Sequence, residues 1–312
     1  MHTLIIGAGA LGGYFGFKMA KAAESVTFYD TDQEKVDILN ECGITVHSLT
    51  DGEDRNLKIP AISIIEDVAE VPDLVLVLVK SYNTDRAARE ISLVKGKHTN
   101  VLTLQNGLGN VEKLSPYIKQ NRLFAGITYQ AAFEPRLGYI NHAATGMTLI
   151  AAQDAAFNNT AMDLARLLNN CELPSGATTD IEPIRWKKLI VNSVINPLSA
   201  IYRLPNGMLP KNPDIVRDMM KLVAEGVAVA QKVGIPLNYG EMWATVLNAC
   251  RSTANNRSSM LSDVEAGRMT EIQAINGSIV RLGEQYGIET PTHIQMVRQV
   301  VAIHGKGKEK FR

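Results

Sequence analysis

Leu4-Ile-Ile-Gly7-Ala8-Gly9-Ala10-Leu11-Gly12 is the stretch that decides the fold. The apolar run Thr3–Ile6 leads into it, and a helical pattern over residues 10–22 leads out. A strand, a glycine turn and a helix in that order make the dinucleotide-binding fingerprint; the glycine spacing without that context is weak evidence. Gly7 is expected to form the tight turn, Gly9 to let the backbone approach a pyrophosphate, and Gly12 to let helix and strand pack closely. Ala8, Ala10 and Leu11 complete the cofactor loop. Free N–H groups and the positive end of the helix would face the phosphates there.

Outward from this loop, short aliphatic runs alternate with helical patterns. Strands are expected at Ser25–Tyr29, Leu74–Val79, Asn100–Leu104 and Leu123–Ile127, and helices at about 32–42, 84–93 and 109–119. Near-continuous apolar strands alternating with helices indicate a parallel sheet covered on both faces. Ala131–Glu134, Tyr139–Ala143 and Met147–Ala151 read as antiparallel strands around a turn at Pro135–Gly138. Beyond about residue 178 the strand signal ends. Helices are expected over 181–203, 213–233, 240–253, 269–286 and 292–304. The fold class is α/β: a Rossmann-type doubly wound domain over residues 1–178, then an all-helical substrate and catalytic domain over residues 179–312.

Three polar groups fall at the carboxyl ends of strands, where open α/β sheets bind ligands. Asp30 ends the second strand roughly 20 residues past the glycines, as the fingerprint expects. Its carboxylate can accept both ribose hydroxyls and would repel a 2′-phosphate. Thr31 follows rather than a base, so NAD(H) is favoured over NADP(H). Alternatively Asp30 only caps the helix starting near Asp32. Lys80 follows the strand Leu74–Val79, and Asn106 follows the strand ending at Leu104; both are cofactor-side candidates, with loop capping as the plainer role.

The helical region carries the chemistry. Lys188, Asn192 and Asn196 lie at i, i+4 and i+8 within Trp186–Ser199, which puts an amine and two carboxamides on one face of an otherwise apolar helix. Left unpaired, such groups cost roughly 1–3 kcal/mol each, so this face needs a polar partner. Ser259, Asp263, Gly267 and Glu271 are also four apart and, if helical, form a second polar face, with a break conceivable at Gly267. Reduction of a ketone needs a proton for the developing alkoxide, and no His here lies in a convincing His–acid arrangement. Lys188 is the candidate general acid, with Glu271 to hold it and balance its charge.

Composition narrows the classes. The 312 residues hold 32 basic and 32 acidic side chains, so no overall field favours nucleic acid or an anionic membrane. The basic run Gly305–Arg312 reads as a frayed terminus. Cys42, Cys171 and Cys250 are odd in number and far apart, which suggests a reducing cytoplasm. The six His show no metal spacing, and no metal is expected. The longest aliphatic run, Leu74–Val79, is too short to span a bilayer.

With these residues assembled, nearly the whole chain resembles the ketopantoate reductase (2-dehydropantoate 2-reductase) family. The likeness rests on Gly7-x-Gly9-x-x-Gly12, Lys80, Gln105-Asn106-Gly107 and Trp186-Lys-Lys188-Leu-x-x-Asn192-x-x-x-Asn196-Pro197-Leu. It continues through Pro205-Asn206-Gly207, Ser258-Ser259-Met-Leu-x-Asp263 and Thr270-Glu271-Ile-x-x-Ile-Asn276-Gly277. The resemblance implies a Rossmann domain plus a helical domain, and reduction of 2-dehydropantoate to (R)-pantoate in pantothenate biosynthesis. It implies Lys188 as general acid, Glu271 as its acidic partner, and Asn192, Asn196, Asn206 and Ser259 as substrate contacts. Such enzymes usually take NADPH and carry a base near the end of the second strand; Tyr29-Asp30-Thr31 departs from that. A branched 2-oxo acid such as 2-oxoisovalerate is the alternative substrate, and a dinucleotide sensor without turnover the alternative class. A homodimer is left open.

Overall fold

The computed structural model describes residues 1–48 and 51–309, with side chains through residue 303. The side chains of the tail beginning at Gly305, and all of Lys310–Arg312, lie outside the described residues. The described chain clusters into two compact units. One comprises Met1–Gln105 and Asn110–Ile181; the other comprises Asn106–Gly109 and the residues from Glu182 on.

The strands of the first unit are β1 (His2–Ile6), β2 (Ser25–Tyr29), β3 (Ile44–Ser48), β4 (Asp54–Leu57), β5 (Ala61–Ile62), β6 (Leu74–Val77), β7 (Asn100–Thr103), β8 (Leu123–Thr128), β9 (Ala131–Arg136), β10 (Tyr139–Ala144), β11 (Thr148–Ala152) and β12 (Ser175–Ala177). Its helices are α1 (Ala10–Lys21), α2 (Gln33–Cys42), α3 (Thr84–Val94), α4 (Asn110–Leu114) and α5 (Asn158–Asn170). The main sheet runs β12-β11-β8-β7-β6-β1-β2-β5. Neighbours from β5 to β8 pair in parallel, and β11 turns the edge antiparallel to β8. The chain passes from β1 outward to β2 and then returns to the far side of β1 as β6. This reversal is the switch point at which such sheets bind ligands, and the loops after β1 and β6 border it.

Two features exceed the sequence expectation. A second sheet, β4-β3-β10-β9, takes the expected Ala131–Tyr139 hairpin and pairs it in parallel with β3. The third expected antiparallel strand, β11, joins the main sheet instead. The small sheet covers the face of α1 turned away from the main sheet. A Cβ at Gly13 would meet Ile44 and Ile140 of the small sheet, and one at Gly16 would strike the Phe28 ring on β2. Phe15 and Phe28 are fully buried in this core; burying each is worth roughly 1.5–3 kcal/mol.

The second unit is helical: α6 (Glu182–Tyr202), α7 (Pro213–Lys232), α8 (Tyr239–Ser252), α9 (Ser259–Glu265), α10 (Asn276–Tyr286) and α11 (Pro291–Glu309). Ile190, Val194, Met219, Val223, Ile279 and Val300 are among its core residues. Asn212 caps α7 and Asn238 caps α8 through their side chains. The helix expected from residue 269 begins only at Asn276.

Candidate active site

On the first unit, the glycine loop has the geometry its sequence calls for. Gly7 adopts φ +99, a conformation side-chain-bearing residues avoid, and a Cβ there would lie 2.9 Å from the Val79 nitrogen. A Cβ on Gly12 would fall 1.9 Å from the Gly7 carbonyl oxygen, so helix and loop touch there. Gly9 differs: nothing lies within 4 Å of where its Cβ would be. No internal packing requires glycine at this position, which fits a backbone kept bare for a ligand. Gly9 lends α1 no side-chain cap, and the first turn at Ala10, Leu11 and Gly12 contains no acid. The helix end therefore keeps its positive character for a phosphate.

Asp30 is half-buried at the end of β2. Its Oδ2 accepts the Ala8 N–H at 2.9 Å and its Oδ1 the Asp32 N–H at 3.2 Å. Capping of α2 falls to Asp32, which accepts the Lys35 N–H at 3.3 Å. The capping alternative for Asp30 is thus taken by its neighbour. Lys35 on α2 pairs with Glu134 at 2.9 Å.

Lys80 follows β6 and is half-buried. The residue before it is held by Gln105, whose Nε2 donates to the Val79 carbonyl at 2.8 Å and to Thr84 Oγ1 at 2.9 Å. Gln105 thus ties the ends of β6 and β7 together, a role its sequence position alone did not signal. Asn106, expected at the sheet edge, groups with the helical unit. The segment docks through the Leu108 N–H, which donates to the Ala274 carbonyl at 3.1 Å. Gly107, at φ +85, approaches so closely that a Cβ would lie 2.4 Å from that oxygen.

On the second unit, Lys188, Asn192 and Asn196 all fall within α6 and share one face. Lys188 and Asn192 are half-buried and Asn196 is buried. Burial pushes the Lys188 amine down to about 8, and the negative charge of Glu271 opposes that shift. Glu271 is itself 7% exposed.

The second polar face does not form as one helix. α9 ends at Glu265 and Gly267 turns to φ +67. The Arg268 N–H donates to the Asp263 carbonyl at 2.8 Å and the Gly267 N–H to Val264 at 3.1 Å, the bond pair of a Schellman stop. Asp263 is buried and pairs with Arg268 at 3.2 Å, while Ser259 is exposed. Glu271 instead heads a separate turn before α10, its carbonyl accepting the N–H groups of Ala274 at 3.0 Å and Ile275 at 3.1 Å.

Asn206 is 7% exposed, and its orientation is fixed by its partner. Thr253 Oγ1 gives its hydrogen to the Ala249 carbonyl at 2.7 Å, so it can only accept from Asn206 Nδ2, at 2.9 Å. Asn206 Oδ1 is left buried with no hydrogen-bond partner among the described residues. A buried acceptor in that state takes its hydrogen from a water or from a bound ligand. Among the described residues no cluster of three or more His, Cys, Asp or Glu could hold a metal, and no helix is long and apolar enough to cross a membrane.

Comparison with known proteins agrees across the chain. Residues 3–154 match the model described as Ketopantoate reductase PanE/ApbA, and residues 180–304 match Ketopantoate reductase PanE/ApbA C terminal. The 2-dehydropantoate 2-reductase of Archaeoglobus fulgidus is 33% identical over 299 residues, 96% of each chain. That of Pyrococcus horikoshii is 31% identical over 307 residues, 98% of this chain and 99% of its own. Among solved structures, D-mandelate dehydrogenase with NADH and anilino(oxo)acetate matches with a TM-score of 0.94 at 25% identity, covering 99% of this chain and 100% of that one. The PanE/ApbA family ketopantoate reductase from Ralstonia eutropha matches at 0.90 and 28% identity, with the same coverage.

Proposed function

The chain belongs to the ketopantoate reductase family, and from that premise we propose that it reduces 2-dehydropantoate to (R)-pantoate, with Lys188 as proton donor. The observation that carries this reading is the half-buried Lys188 on the polar face of α6, with the buried Glu271 carboxylate supporting its charge against burial. Reduced nicotinamide, when bound, supplies the hydride to C2 of the 2-oxo acid. The Lys188 ammonium hydrogen-bonds the ketone oxygen, draws off the charge that builds there and gives it a proton. The product is the alcohol with oxidised cofactor and a neutral amine, which takes its next proton from water. A lysine held near 8 keeps most of its protons at neutral pH yet yields one more readily than an unperturbed lysine would.

Asn192, Asn196 and Ser259 are assigned to the substrate, and so is Asn206, whose unpaired Oδ1 would accept the substrate's hydroxyl. Gly7 to Gly12, Asp30, Lys80 and Asn106 are assigned to the cofactor. NADH is the favoured form: Asp30 presents a carboxylate at the ribose position, and Lys35 on the adjoining helix is already paired with Glu134. The matching D-mandelate dehydrogenase structure, which holds NADH, supports that choice.

A second reading is a reductase of a 2-oxo acid lacking the hydroxyl, such as 2-oxoisovalerate; the high structural match to D-mandelate dehydrogenase favours it. The experiment is a comparison of kcat/KM for 2-dehydropantoate and 2-oxoisovalerate with NADH and with NADPH. Clear preference for 2-dehydropantoate supports the first reading, and preference for 2-oxoisovalerate replaces it with the second. Tight NADH binding with no oxidation by either acid points to a sensor.

A further inference from the structure

Pro197 lies inside α6, nine residues beyond Lys188. Having no N–H, it cannot serve the carbonyl four residues before it, that of Ser193. That carbonyl is not left bare: Asn276 Nδ2 donates to it at 2.8 Å. The second hydrogen of the same amide faces His293 Nδ1 at 3.1 Å, and His293 Nε2 lies 3.1 Å from the Leu222 carbonyl. A carbonyl only accepts, so Nε2 carries the imidazole hydrogen and Nδ1 is the acceptor. Burial holds His293 down to about 4, so the ring stays neutral. Glu225 on α7 accepts the backbone N–H groups of Thr292 and His293. Asn276 and His293 are both fully buried. Asn276 is also the first residue of α10 and directly follows the turn that Glu271 heads.

We propose that Asn276 is a positioning residue for the proton donor: its amide fills the vacancy Pro197 leaves on α6 and so holds the Glu271 turn against the helix that bears Lys188. The proposal rests on the reading of Lys188 as proton donor. The proline and the asparagine form one device. A regular helix at residue 197 would offer no such docking point, and an apolar residue at 276 would leave the Ser193 carbonyl buried without a donor.

The test uses the full-length enzyme as Asn276→Ala and as the double variant Pro197→Ala/Asn276→Ala, with kcat, KM, thermal stability and the NMR titration of the Lys188 amine. That signal is assigned by its loss in Lys188→Ala. In the double variant, residue 197 again has an N–H for Ser193, so the share of the stability loss due to that carbonyl recovers, while His293 Nδ1 stays without its donor and the tether to Glu271 stays cut. The expected result in both variants is a kcat loss of roughly ten- to a hundredfold with KM little changed. The Lys188 titration moves to lower pH in both, because Glu271 no longer supports the charged amine. Should the single variant fail to fold, the double variant carries the test. Wild-type kcat and titration in Asn276→Ala, or recovery of both alongside stability in the double variant, overturns the proposal and leaves Asn276 a fold-stabilising role only. Full turnover in Lys188→Ala would remove the proton-donor reading instead, and the Lys188 titration in the Asn276 variants then decides the positioning role by itself.

Discussion

Ala8 donates its backbone N–H to Asp30 across 2.9 Å, so the glycine loop after β1 and the end of β2 are joined by a carboxylate. This bond orients the acid while leaving it lone pairs for ribose hydroxyls. A 2′-phosphate placed there would meet a fixed negative charge. Replacing Asp30 with Asn keeps the oxygen acceptor and removes the charge. The expected outcome is a fall in the ratio of kcat/KM for NADH over that for NADPH, on the order of tenfold or more, read from steady-state kinetics with each cofactor. An unchanged ratio would take Asp30 out of cofactor choice.

Gly9 and Gly12 are glycines for different reasons, and the difference is measurable. Gly12→Ala forces a methyl to within 1.9 Å of the Gly7 carbonyl oxygen. It is expected to destabilise the protein by roughly 1–3 kcal/mol in denaturant titration. Gly9→Ala meets no protein atom within 4 Å, so the unliganded protein should keep its stability while cofactor KM rises. Equal thermal shifts in the two variants would argue against a cofactor approaching Gly9.

The substrate role proposed for Asn206 predicts a difference between the two candidate acids. A buried unpaired acceptor costs roughly 1–3 kcal/mol, and a substrate hydroxyl that satisfies it gains a corresponding preference, roughly ten- to a hundredfold. Asn206→Ala is expected to lower kcat/KM for 2-dehydropantoate much more than for 2-oxoisovalerate. Equal losses for both acids would deny the amide its role in choosing between them.

His293 predicts an acid weakness in the helical unit. Its folded value is about 4 against an ordinary 6.5, so the unfolded chain binds more protons between those limits. Stability from this group is full above about pH 6.5 and is lost as pH falls toward 4. The loss over that window is of order 3 kcal/mol. His293→Gln, which can still accept from Asn276 and donate to Leu222, should flatten that part of the stability–pH curve; an unchanged slope would assign the weakness elsewhere.

Much of this was legible from local pattern. The fingerprint glycines follow from their place between a strand and a helix, the parallel strands from near-continuous apolar runs, and the single face shared by Lys188, Asn192 and Asn196 from the 3.6-residue period. Of the second sheet only the β9–β10 hairpin was legible; β3 and β4 were not, and Asp54, Arg55 and Asn56 make β4 a polar edge strand with no apolar alternation. The placement of Glu271 misled because its four-residue spacing from Asp263 continued through Gly267, where the chain turns to positive φ and stops. The Asn276–Ser193 bond spans 83 residues of sequence; Pro197 was its one local sign, since a proline beyond the first turn of a helix frees the carbonyl four residues before it.

The central claim is that Lys188 gives the proton, and the most direct measurement is the pH dependence of kcat for wild type and Glu271→Gln with saturating 2-dehydropantoate and cofactor. With the charged amine as the active form, as that proposal requires, kcat should hold steady below about pH 8 and fall above it. Removing the Glu271 charge should shift that fall to lower pH. A kcat that stays level well above pH 8, or a fall at the same pH in Glu271→Gln, would contradict the assignment.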